Sequence, residues 1–242
     1  MIAKTDAIVL KSFDFRETSK IVTFFTKDHG KVKGILKGIR KDPKKFGSHV
    51  DRYSVNEIVF YPSRSEIHLV SHCDLRQYFF PIRQDYKRSL AANYILELVD
   101  RLLPAEEPNE DIYQLMIDYL TSLETASDIN KLVHIFQIKM LLLSGFRPHL
   151  DSCVKCQRPV KARARFSLKE GGLICADCLT VGTAFTFVSH GAVASILHIE
   201  QSDWTGGLRL GLTAPVKNEL KYILNNFLIH HLEKNLKSTK YL

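Results

Sequence analysis

The chain has 242 residues, 45% of them apolar and 25% charged, with a formal net charge of +8; this is a globular balance, and it excludes a fibrous or wholly disordered chain. No apolar run approaches the ~18 residues of a membrane span, and the N-terminus lacks a basic start followed by an apolar core, so a cytoplasmic protein with no membrane partner is the expectation. The positive charge sits at the two ends, with a net +6 over residues 1–80, −3 over 81–150 and +5 over 151–242, a distribution that attracts polyanions such as nucleic acid or anionic lipid.

Residues 2–72 read as β structure. Short β-branched and aromatic runs at 8–10, 21–25, 58–61 and 67–70 fit strands. Asp28–His29–Gly30–Lys31 is a turn, with Gly30 suited to positive φ. Beyond it Val32, Gly34, Leu36 and Gly38 alternate with Lys31, Lys33, Ile35 and Lys37, which gives a strand with a mostly basic outer face. About five short strands bending at glycine make a small barrel; an SH3-like barrel and an OB-fold both fit. Cys73, alone in this region, reads as a small buried apolar residue.

The strand and the loop after it form the strongest electrostatic feature. Residues 31–45 hold Lys31, Lys33, Lys37, Arg40, Lys41, Lys44 and Lys45 against Asp42 alone. Such a face would contact phosphates; the competing reading is a solvated charged surface. Phe13, Phe46 and Tyr53 lie nearby in sequence and either stack on bases or fill the barrel core, the core being the simpler role.

After Pro81 the period changes to helical. Tyr86, Leu90, Tyr94 and Leu98 lie four apart on one stripe, and Pro104 and Pro108 interrupt the chain. Ile112, Leu115, Met116, Tyr119, Leu120 and Leu123 mark a second helix. Asp128 is placed to cap a third, carrying Leu132, Ile135, Phe136, Met140 and Leu143, with Gly145 at its C-terminal end. A last long helix opens at Pro215 as its first residue and buries Val216, Leu220, Ile223, Leu224, Phe227 and Leu228. The expected organisation is a basic barrel over 1–80, a helical domain over 81–150, a cysteine module over 151–182, and C-terminal helices over 183–242 that complete the helical domain.

That module is the most specific motif. Cys153 and Cys156 form one CxxC pair and Cys175 and Cys178 another, eighteen residues on. Two such knuckles bring four thiolates to ~2.3 Å from one zinc ion and complete a tetrahedron. Four sulfurs leave no position for water, so one structural zinc is expected rather than a catalytic one. Buried or redox-active cysteine pairs are one alternative; an iron–sulfur cluster is another, and the paired knuckles suit zinc better. Residues 166–167 and 171–174 look like a hairpin turning at Gly171–Gly172, and His149 reads as a bystander.

Catalytic signatures are missing: there is no Walker loop, GxGxxG, HExxH or GxSxG. The residues alone support a zinc-containing, basic, nucleic-acid-binding protein that is not an enzyme. A zinc-ribbon adaptor of transcription or translation machinery, its basic face on RNA, fits the same residues. A metal-dependent nucleic-acid enzyme is the third reading, with turnover in magnesium as its discriminator.

Three stretches carry a resemblance. The first is Arg16–Glu17–Thr18–Ser19–Lys20–Ile21–Val22–Thr23–Phe24–Phe25–Thr26–Lys27–Asp28–His29–Gly30–Lys31, followed by Lys37–Gly38–Ile39–Arg40–Lys41. The second is Leu141–Leu142–Leu143–Ser144–Gly145–Phe146–Arg147–Pro148–His149–Leu150, running into Cys153–Val154–Lys155–Cys156. The third is Phe166–Ser167, then Gly171–Gly172–Leu173–Ile174–Cys175. Together they resemble the bacterial RecO family over nearly the whole chain. The resemblance implies an α+β multidomain protein: an N-terminal OB-fold β-barrel, then an α-helical domain carrying a four-cysteine zinc module. It implies a recombination mediator of the nucleoid that binds single- and double-stranded DNA, anneals complementary strands and helps load RecA onto SSB-coated DNA. RecR and the C-terminal tail of SSB are the implied partners. For that acidic, apolar-ended tail, Lys131 and Lys139 are the candidates, eight apart on the third helix with Ile135 between them. The sequence departs from the family at Asp14–Phe15–Arg16, where a glycine before Glu17 is usual, and the shape of that first barrel loop is left open.

Overall fold

The computed structural model describes residues 2–42, 46, 50–160, 164–232, 236 and 238, the side chains of 231 and 232 excepted. By compactness the chain divides into two units, Met1–Ala126 and Ser127–Leu242.

Five strands open the first unit: β1 (Ala3–Phe15), β2 (Ser19–Thr26), β3 (Gly30–Leu36), β4 (Ser54–Tyr61) and β5 (His68–Tyr78). They close into a barrel in the order β1-β2-β3-β5-β4. Every neighbouring pair is antiparallel except β3 and β5, which seal the barrel in parallel through Gly34↔His68 and Ile35↔Leu69. A five-stranded closed Greek-key barrel of this order is an OB-fold. Along β3 burial alternates residue by residue, with Val32, Gly34 and Leu36 inside and Lys31, Lys33 and Ile35 half-buried outside. Gly34 has a packing reason: a Cβ there would lie 2.5 Å from Cγ2 of Val70, across the closing seam. Val9, Val22, Phe24, Val32, Leu36, Ile58, Phe60, Val70 and Cys73 fill the interior, joined by Phe46 and Val50 from the loop after β3. Phe46 and Tyr53 are thus core residues, 2% and 6% exposed, whereas Phe13 is 49% exposed.

Three helices belong to the same unit: α1 (Phe80–Gln84), α2 (Tyr86–Leu102) and α3 (Glu110–Leu123). Asp85 caps α2 by accepting from the Arg88 N–H, and Asn109 caps α3 by accepting from Ile112. The six apolar positions expected on α3 are all buried. On α2 the buried stripe is Ala91, Tyr94, Ile95 and Leu98, while Tyr86 is 72% exposed. A strict spacing of four drifts about 40° per step around a helix of 3.6 residues per turn, so Tyr86 has rotated out of line by Leu98. The outer side of the barrel meets these helices, with the Phe25 and Tyr113 rings 6.2 Å apart.

The second unit starts with α4 (Ile129–Leu143), capped by the Asp128 carboxylate accepting from Lys131 N–H. Its end is a Schellman closure: Gly145 has φ +79° and donates to Leu142 O, and Phe146 donates to Leu141 O at 2.9 Å. A three-stranded antiparallel sheet follows, β6 (Ala164–Ser167), β7 (Gly172–Ile174) and β8 (Thr186–Val188), in the order β7-β6-β8. Helices α5 (His190–Gln201), α6 (Trp204–Arg209) and α7 (Ala214–Leu232) complete the unit. Pro215 is the second residue of α7 rather than its first, a position whose N–H has no helical partner either way. Leu220, Ile223, Leu224, Phe227 and Leu228 are buried as expected; Val216 is half-buried. No described helix is long and apolar enough to cross a membrane.

Candidate metal centre and nucleic-acid interface

The turn after Leu150 and the turn after β7 face each other, and each carries one CxxC pair. The four sulfurs of Cys153, Cys156, Cys175 and Cys178 all lie within 4.8 Å of one another. The Cys156 and Cys175 sulfurs are 3.7 Å apart, close to the ~3.8 Å edge of a tetrahedron with 2.3 Å metal–sulfur bonds. Backbone geometry sets this up. Gln157, at φ +61°, donates to Cys153 O, Cys153 N–H donates to Arg158 O, and Cys178 N–H closes its own knuckle on Cys175 O. Cys175 N–H points at the Cys153 sulfur, 3.4 Å away.

Electrostatics fit a cation. Burial pushes the Cys153 thiol up, but N–H donors from Cys175, Cys156 and Lys155 outweigh it and bring the group down to about 6. The backbone and guanidinium of Arg158 lower Cys156. Cys178 goes the other way, up to about 12, through hydrogen bonds with the Cys175 and Cys156 sulfurs. Four thiols so close cannot all ionise without a positive charge among them, and soft sulfur donors select a soft or borderline metal ion. The donor set and its spacing therefore fit a bound metal ion. His149 is engaged elsewhere, its Nε2 2.8 Å from Ser152 Oγ. Cys73 is buried in the core of the barrel.

The seven expected phosphate-binding cations have separate fates. Lys31 does not face solvent: its Nζ donates to Asp100 O at 2.5 Å and Leu103 O at 2.8 Å, the carbonyls that end α2. Burial lowers its pKa. It is a helix C-terminal cap that ties β3 to α2. Replacing it with methionine is expected to lower stability by about 2 kcal/mol and to leave the salt dependence of DNA binding unchanged, measured by denaturant unfolding and by titration. Lys33 pairs at the surface with the exposed Glu66 at 3.4 Å. Lys37 and Lys41 are exposed and make no ion pair among the described residues. Arg40 reaches Asp14 at 3.4 Å and donates to Arg16 O. Lys44 and Lys45 lie outside the described residues.

Arg40 N–H also donates to Thr18 O at 3.0 Å. That bond sets the loop after β3 beside the β1–β2 turn, at one end of the barrel. Arg16 and Lys20 therefore join Lys37, Arg40 and Lys41 there, and sequence distance hid this pairing. The local signal was the β–turn–β pattern itself, which brings two turns to one rim.

Lys131 and Lys139 do share one face of α4. Lys131 Nζ donates to Leu208 O at 2.5 Å, and Lys139 Nζ donates to the carbonyls of Ser202 and Glu200. These carbonyls end α6 and α5. Ile135 between them is fully buried, with its Cγ2 against Gly207. The face is occupied by the protein's own helices.

Two family profiles match the chain: "Recombination protein O N terminal" over residues 1–79 and "Recombination protein O C terminal" over residues 83–240. The chain belongs to the RecO family. Proteins named DNA repair protein RecO resemble it end to end. The one from Caldicellulosiruptor saccharolyticus is 32% identical over 97% of this chain and 95% of its own. Those from Desulforamulus reducens and Syntrophus aciditrophicus are 31% and 30% identical, over 100% and 99% of this chain and 94% of each relative. RecO family membership makes this a DNA repair protein.

Arg16 has φ +53°, a left-handed turn that glycine serves without strain and an arginine adopts at a cost. Arg16→Gly is expected to raise stability by about 0.5–1 kcal/mol, read as a shift of the denaturation midpoint at unchanged slope.

Proposed function

We propose that this RecO-family chain is a recombination mediator that works without turnover in the cytoplasm, on the nucleoid. In this reading it binds single- and double-stranded DNA through phosphates, anneals complementary strands and helps load RecA onto SSB-coated DNA. Full-length similarity to DNA repair proteins carries it, supported by exposed cations at one rim of the OB-fold barrel. Lys37, Arg40 and Lys41, with Arg16 and Lys20 and the neighbouring Lys44 and Lys45, would screen two phosphate backbones so that complementary bases can pair. Lys33 adds a weaker contact, because it must first leave Glu66. Phosphate contacts of this kind carry no sequence preference, which suits a protein that must act wherever strands are broken.

The metal at Cys153, Cys156, Cys175 and Cys178 is zinc in this reading. It holds the two knuckles together and offers no coordination site to DNA or water. RecR and the C-terminal tail of SSB are the proposed protein partners. Lys131 and Lys139 would have to release helix-terminal carbonyls to meet the tail, so tail-peptide affinity and thermal stability must be measured on the same Lys131→Glu, Lys139→Glu protein. The deciding experiment for the whole reading is annealing of two SSB-coated complementary oligonucleotides by the purified protein. Acceleration is expected without magnesium-dependent turnover of ATP or DNA; no acceleration would refute the mediator role.

A further inference from the structure

Among the described residues, the sheet in the second unit has one buried face and one partly exposed face. Ala164, Phe166 and Val188 are buried, and Phe166 meets Phe227 of α7 with centroids 6.0 Å apart. Side chains alternate along a strand, so Arg165 and its cross-strand partner Phe187 emerge on the other side. Phe185 emerges with them, two residues before Phe187. The two rings are 40% and 43% exposed. They meet edge to face, 5.3 Å apart at 81°. The Arg165 guanidinium carbon lies 5.8 Å from one centroid and 5.5 Å from the other. Phe187 also borders a cleft of about 280 Å³ against Glu219, Tyr222 and Ile223 of α7; the Glu219 carboxylate there accepts from Ser189 N–H, and Tyr222 is itself 52% exposed.

Charge indicates what would cover this face. Residues 151–182 hold six Lys or Arg against three Asp or Glu. All three acids are taken: Asp151 by Arg147, Glu170 by Lys155 and Asp177 by Arg158. Arg165 has no carboxylate among the described residues and keeps its planar donor fork for an outside anion. A ligand that meets both features needs flat π surfaces alternating with anions at short intervals. Single-stranded nucleic acid has that chemistry, with bases to stack on phenyl rings and phosphates for the guanidinium. We propose that Arg165, Phe185 and Phe187 form a base-stacking contact for single-stranded DNA, separate from the phosphate-binding rim of the barrel. This rests on reading the chain as a DNA-binding protein.

The test compares an oligo-dT strand with an abasic strand of equal length, titrated against the full-length metal-bound protein. Phe185→Leu with Phe187→Leu keeps apolar bulk and removes the rings; Phe185→Tyr with Phe187→Tyr keeps them. The leucine variant is expected to bind oligo-dT about tenfold more weakly or worse, the tyrosine variant like the native protein, and all three to bind the abasic strand alike. Arg165→Ala should flatten the log–log salt slope by about 0.7. Metal content and melting temperature check the fold of each variant. Equal oligo-dT affinity for the leucine and native proteins overturns the inference. So does a leucine variant that loses self-association or partner protein while holding DNA normally, which would assign the face to a protein contact. If the native protein binds no single strand at all, the DNA-binding reading falls as well. If only a variant of the barrel rim loses affinity, that reading stands and this one fails.

Discussion

Cys153→Ser is expected to abolish metal binding and to unfold the four-cysteine module. Cys153 is the fully buried sulfur of the four and accepts the Cys175 N–H, so a serine there loses a ligand and leaves that donor with a poorer acceptor. β6 and β7 contribute only four and three residues, too few to bury a core without the helix that Phe166 packs against. Structural zinc supplies roughly 10–16 kcal/mol of apparent binding energy in small domains, comparable with the ~5–15 kcal/mol that holds an average protein folded. Metal analysis should find one zinc per native chain and almost none in the variant. Limited proteolysis should cut the variant between residues 151 and 182 while sparing the first unit. A thiol reagent that strips the metal should consume four equivalents, with Cys73 reacting only after denaturation, because it is fully buried in the barrel. Native protein purified without chelators and found to hold no zinc would sink this account.

The second large effect is expected at the barrel rim. Changing Lys37, Arg40 and Lys41 together to alanine removes three cations that the fold leaves exposed. Each phosphate contact contributes about 0.7 to the log–log salt slope for single strands, so the slope should flatten by about 2. At roughly 0.1 M salt that is a loss of about a hundredfold in affinity, alike for all sequences. Stability should hardly change, since exposed pairs such as Arg40–Asp14 contribute little. Lys31→Met should show the reverse pattern, with lower stability and an unchanged slope. An unchanged slope in the triple variant would place DNA away from this rim.

Much of the architecture is legible where local chemistry decides it. The strands of the barrel announce themselves by β-branched runs and alternation. Asp128 and Gly145 mark the two ends of α4, because a cap is a bond between near neighbours in sequence. Each CxxC pair is local in the same way, and the eighteen residues between the pairs match the spacing of four-cysteine metal sites. What stays hidden depends on partners far along the chain. Lys31 looks like any other cation of a basic strand, and only the arrival of α2, some seventy residues later, gives its ammonium two carbonyls. Lys131 and Lys139 have the spacing of a docking face, yet α5 and α6 end on that face and take both donors. The membership of α1 to α3 in the barrel's unit is likewise a matter of packing, which helical periodicity does not encode. Arg165 and Phe187 are twenty-two residues apart and become neighbours only through strand pairing.

Arg16 has a consequence for how this protein would evolve. Its left-handed backbone is strained for a residue with a side chain, while the residue itself stands at the rim, its carbonyl accepting from Arg40 and its guanidinium over the Phe15 ring. Selection for heat tolerance alone would draw this position toward glycine, and selection for grip on a polyanion would hold it at arginine. A laboratory lineage bred only for thermal survival should therefore reach Arg16→Gly early, and its descendants should repair DNA less well in high salt than in low.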